Sequence, residues 1–116
     1  MAHHTATDNE TALREFREAV NMSAKELDAW LKTEESKSVG WKEHEGDEST
    51  GHQSGRAIVE LLRHKGNDYS DEDYHQMRRV VSYVHRHLAQ RPSGDIEDTR
   101  WRYSLKNWGH EPLQDK

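Results

Sequence analysis

The sequence predicts an all-α fold, a compact bundle of four to five helices, on three observations. Apolar residues recur at i, i+3, i+4 and i+7 in several separate segments, the spacing of one helix face. Ser-x-x-Glu and Ser-x-x-Asp stand in front of two of those segments as capping boxes. No pair of alternating segments announces a sheet. The 116 residues suffice for one ordinary domain. Hydrophobic residues make up 31% and charged residues 34%, close to the composition of disordered chains, so the core must be thin and built from large side chains. Four Trp, four Tyr and one Phe are the means.

In chain order, residues 1–9 read as a disordered tail, 10–112 as a single helical domain and 113–116 as a second tail. Leu13, Phe16 and Val20 define a first helix over 10–20. Ser23-x-x-Glu26 opens a second, with Leu27, Trp30 and Leu31 as its stripe, and Asn21-Met22 leaves room only for a tight corner. Periodicity then stops over 36–54, a long flexible acidic loop holding Gly40, Gly46, Gly51, Glu43, Glu45, Asp47 and Glu48, with Trp41 pinned to the core. A third helix over 55–65, capped by Ser54, buries Ile58, Leu61 and Leu62, and Gly66-Asn67 stops it. Ser70-x-x-Asp73 opens the longest helix, over 71–90, whose Tyr74, Met77, Val80, Val81, Val84 and Leu88 share one arc. A last helix ends at Trp108 before Gly109, with Trp101, Leu105 and Trp108 on one side. Alternation of Trp101, Tyr103 and Leu105 also fits a short strand, but no partner strand is visible.

Composition excludes several chemistries. Without cysteine there is no disulfide scaffold, thiol catalysis or thiolate metal site, and a reducing, cytoplasmic setting fits. No segment reads as a signal peptide or a membrane span. His85 and His87 lie about 200° apart around a helix, so they cannot share an ion, and neither metal nor cofactor is called for. No nucleophile–base pair or nucleotide fingerprint points to an enzyme, so no catalytic residue is assigned.

Charge is more informative. Residues 1–50 carry 6 Lys/Arg against 12 Asp/Glu, whereas 51–116 carry 11 against 10. Residues 74–94 have no carboxylate at all. Opposite the apolar arc of the long helix, His75, Arg79, Ser82 and Arg86 follow i, i+4, i+7, i+11, with Arg78 at the border. Guanidinium groups and short hydroxyls in a row are what phosphates and base edges need. The third and fourth helices around a Gly-Asn turn suggest a helix-turn-helix arrangement. Arg56, Arg100 and Arg102 would extend the contact to the backbone, and 49–56 could form an anion nest closed by Arg56. Trp101 and Trp108 could stack bases, although aromatic residues at helical spacing ordinarily fill cores. The partner would be DNA. The alternative is a protein-interaction or self-associating module, in which the basic helix docks an acidic partner or the acidic half of a second copy. A merely solvated basic face is the plainest reading.

Four motifs also carry a resemblance. Residues 34–40 (EESKSVG), 51–56 (GHQSGR), 85–95 (HRHLAQRPSGD) and 99–110 (TRWRYSLKNWGH) resemble a family of small bacterial domains of unknown function, often labelled DNA-binding proteins. The label implies nucleic acid as partner and brings no catalytic residues. Positions Gln53 and Ala57 are often basic in that pattern and are neutral here.

Overall fold

The computed structural model describes residues 5–40, 42, 46–66 and 68–114, which form six α-helices: α1 (Thr5–Ala19), α2 (Ala24–Leu31), α3 (Glu34–Lys37), α4 (Thr50–Arg63), α5 (Asp71–Leu88) and α6 (Arg100–Asn107). The described residues contain no strand, so the all-α expectation holds. Hydroxyl side chains decide where five of the helices begin. Ser23, Thr33, Ser49, Ser70 and Thr99 each accept a hydrogen bond from the amide three residues on, satisfying one of the amides that a first turn leaves free. At Ser23 and Ser70 the box closes in both directions, with Glu26 and Asp73 accepting from the cap amide. α5 adds Asp71, Glu72 and Asp73 in its first turn and His85, Arg86 and His87 in its last, which suits its dipole at both ends.

Three boundaries differ from expectation. Residues 5–9, read as tail, belong to α1, which Arg78 Nη2 ties down by donating to Asn9 Oδ1 at 3.0 Å. The 36–54 loop is shorter than it reads: Ser36 lies in α3, and α4 starts at Thr50 rather than beyond Ser54. Gly51 and Gly55 look like turn residues in sequence, yet both lie in α4 and face α6. A Cβ on Gly55 would sit 2.6 Å from Asn107 O and 2.7 Å from Leu31 Cδ2. These glycines are spacers for close helix packing. The pinning of Trp41 and the placing of Glu43 and Glu45 fall outside the described residues. At the other end, residues 113 and 114 are docked rather than free, since Gln114 Nε2 donates to Asn21 O at 3.0 Å.

α1 packs on α5 and α2 on α4, while α6 touches α2, α3, α4 and α5 and so sits at the centre. One cluster joins Phe16, Leu27, Leu31, Ile58, Met77, Val80, Val84, Ile96, Trp101, Leu105 and Trp108 into a single core. α4 and α5 make their main contacts with other helices, not with each other. The two helices that would make a helix-turn-helix thus pack mainly elsewhere, α4 on α2 and α5 on α1, while their apolar residues meet in the common core. Trp101, Leu105 and Trp108 are buried, the core role rather than the base-stacking one.

α6 ends in a Schellman motif. His110 N donates to Leu105 O at 3.0 Å and Gly109 N to Lys106 O at 2.9 Å, with Gly109 at φ 84°. The segment beyond clamps the α1–α2 corner. Met22 N donates to Gly109 O, Glu111 N to Asn21 Oδ1, and Asn21 Nδ2 to Glu111 O. Arg102 grips Glu111 through two bonds of 2.9 and 2.6 Å. Burial alone would raise the Glu111 carboxyl, but the Arg102 guanidinium and the Leu113 amide outweigh it and hold the group below its ordinary value.

Candidate functional site

The exposed face of α5 does not stand free of the bundle. His75, Arg78, Arg79, Ser82, Tyr83 and Arg86 form one wall of an open cleft of about 730 Å³. Ser104, Asn107 and Trp108 face them from α6 and its end, and Gly40, Thr50 and Gly51 close the rim at the start of α4. No carboxylate is among these lining residues. Arg78, Arg79 and Arg86 pair with no acid among the described residues. Arg78 and Arg79 are steadied instead by neutral groups, Asn9 Oδ1 at 3.0 Å and Gln76 Oε1 at 3.3 Å.

Beneath the arginines runs a column of flat rings. Trp108 stacks on Tyr83 (centroids 4.2 Å apart, planes at 10°), Tyr83 on His87 (5.1 Å, 16°) and His87 on Trp101 (6.0 Å, 12°). A guanidinium caps each end, Arg79 over Trp108 at 5.9 Å and Arg91 over Trp101 at 5.4 Å. The column arises because Tyr83 and His87 are one turn apart on α5 while α6 runs antiparallel beside them. His87 Nε2 is buried and has no hydrogen-bond partner among the described residues. Burial pushes the His87 pKa down, a neutral ring being the form such a site tolerates. Burial also pushes the Tyr83 phenol up, against a hydrogen bond with Ser104.

The structure gathers four of the sequence-derived site residues in the cleft, Arg78, Arg79, Ser82 and Arg86, together with His75 and Tyr83. It does not bring the other three there. Arg56 lies on another face and donates two hydrogen bonds to Glu48, at 2.8 and 2.6 Å. Arg102 is committed to Glu111 and to Glu97 O, and Arg100 is exposed outside the cleft. Sequence reasoning missed Ser104 and Asn107 and did not place Trp108 opposite α5, because only the long-range packing of α6 puts them there.

Glu48 is the hub of a separate cluster. Arg56 and His52 Nδ1 both contact its carboxylate, while His52 Nε2 meets Leu31 O at 2.6 Å. The Arg56 hydrogen bonds outweigh the opposing effect of burial and, with His52, lower the Glu48 carboxyl to about 2. A depressed carboxyl stabilises the fold above its unfolded value, and that contribution fades as pH falls from about 4.5 towards 2. Melting temperature followed against pH should drop over that window, and the drop should be shallower in Glu48→Gln. An unchanged acid limb in that variant would remove Glu48 from the account.

Fold and cleft together define a small all-helical domain with a cationic groove. The family described as "Protein of unknown function (DUF3140)" matches residues 15–106, most of the chain, and the chain belongs to that family. The match takes in the α5 wall, Thr50, Gly51 and Ser104. The chain matches no curated protein and no solved structure.

Proposed function

We propose that the domain is a binding module, not an enzyme, and that it holds the phosphate backbone of a nucleic acid in the cleft beside α5. The observation that carries this reading is the convergence, on one cleft, of His75 and three arginines that pair with no acid among the described residues, with no carboxylate among the described lining residues. Each guanidinium offers a planar fork of donors that fits phosphate oxygens, and Ser82, Ser104 and Thr50 add neutral hydrogen-bonding groups. The overall charge of −5 opposes loose, long-range attraction, so contact is confined to this local surface. No helix among the described residues is long and apolar enough to cross a membrane, and the lack of cysteine fits a reducing compartment such as the cytoplasm.

Fluorescence anisotropy with labelled random-sequence DNA, single- and double-stranded, at about 50 and 200 mM salt is the test. Release of about three counterions predicts a roughly 20- to 40-fold loss of affinity over that range. Arg79→Glu combined with Arg86→Glu should weaken binding at low salt by at least about tenfold, since each reversal turns an attraction into a repulsion. Equal affinity in wild type and variant would overturn the assignment. No binding at low salt would overturn it as well and turn attention to an acidic protein partner.

A further inference from the structure

Resting on that reading, we infer that the cleft accepts a single strand in preference to a duplex. A helix that reads double-stranded DNA must protrude, because it enters a major groove about 12 Å wide. The basic row on α5, though exposed, lines one wall of a cleft instead, with Ser104 and Trp108 across from it and Gly40, Thr50 and Gly51 at the rim. The regular surface of a duplex reaches the rim of such a recess but not its floor. A strand released from pairing can bend into it.

The dimensions agree. A volume of about 730 Å³ lies within the roughly 300–1,000 Å³ of small-molecule sites, room for about one or two nucleotide units. Arg79 and Arg86 are two helical turns apart, about 10 Å along the axis, so they can hold successive phosphates while the sugar and base between them face the floor. Half-buried Tyr83 lines the cleft with one ring face stacked on Trp108 and the other on His87, which leaves its edge for a ligand. Ser82 and Ser104 flank it with hydroxyls of either hydrogen-bonding sense, which suits any base and selects none strongly.

The experiment compares labelled oligo-dT, oligo-U and a DNA duplex of equal length for affinity to the full chain. One of the two single strands, oligo-dT for DNA or oligo-U for RNA, should bind at least about tenfold more tightly than the duplex. That margin should collapse in Arg79→Glu combined with Arg86→Glu. Tryptophan emission should change on saturation with the better strand, and most of the change should vanish in Trp108→Phe, which keeps a ring in the stack. Equal or tighter duplex binding overturns this inference while the proposed function stands. Strand binding that leaves the emission unaltered puts the contact outside the cleft and overturns it too. Failure to bind any of the three overturns both.

Discussion

Replacing Asn107 by Leu should cost about 3–5 kcal/mol of stability, a large share of what a domain of this size possesses. Asn107 is fully buried where α2, α3 and α6 meet. Its Oδ1 accepts from Trp30 Nε1 at 2.7 Å and from Ser36 Oγ at 2.6 Å, while Nδ2 donates to Ser36 O at 3.0 Å. Leu is close in size but answers none of these groups, and Ser36 is itself fully buried and cannot turn to water. Each abandoned buried group costs about 1–3 kcal/mol. Chemical denaturation would read the loss as a lower midpoint with little change in slope. Asn107→Asp gives a sharper version. It keeps Oδ1 but turns a second carboxylate oxygen towards Ser36 O, so the folded state favours the protonated acid. The folded pKa then lies above the unfolded value, and the variant comes closest to wild type below the unfolded value of about 4, losing stability as pH rises. A variant equally destabilised at every pH would show that Nδ2 is not the atom that matters.

Gly55→Ala inverts a familiar rule. In the middle of a helix this change ordinarily stabilises by about 0.5–1 kcal/mol. Here the new Cβ would lie 2.6 Å from the Asn107 carbonyl oxygen and 2.7 Å from Leu31 Cδ2. Leu31 can rotate, but the carbonyl is backbone and moves only if α6 moves. Overpacking costs typically about 1–3 kcal/mol and should exceed the helical gain, for a net loss of about 1–2 kcal/mol. Because α4 and α6 both border the cleft, the same displacement should weaken nucleic-acid binding, although Gly55 does not line it. A thermal melt at or above the wild-type midpoint would show that the two helices separate without penalty.

How much of this was legible in the sequence depended on how local the cause was. α5 could be read almost to its ends because its arc of Tyr74, Met77, Val80, Val81 and Val84 repeats with the helical period and Ser70 marks its start. Arg79, Ser82 and Arg86 could be placed on one face for the same reason. Gly51 was read as loop, and the contact role of Gly55 at the start of the third helix went unseen, because glycine has two opposed uses, freeing a turn or letting two helices touch, and only the neighbour decides between them. Asn107 gave no signal at all: it lies 71 residues from Ser36, and a buried amide is recognisable only with its partners in view. The cleft falls between these cases. One wall follows from periodicity, the other from α6, whose position depends on the whole core.

The clamp between residues 109–114 and the α1–α2 corner has a consequence for how the chain is made. Asn21 finds Glu111 across 90 positions, and α1 finds its main support in α5 rather than in its sequence neighbour α2. During synthesis α1 emerges long before α5, the helix that shelters it, and the corner waits for residues 109–114. The apolar stripe of α1 stays uncovered until α5 has been released, whereas α2 can meet α4 sooner. The acidic first half, with 12 carboxylates against 6 basic side chains, gives the emerging segment a net charge that keeps it dispersed during that interval.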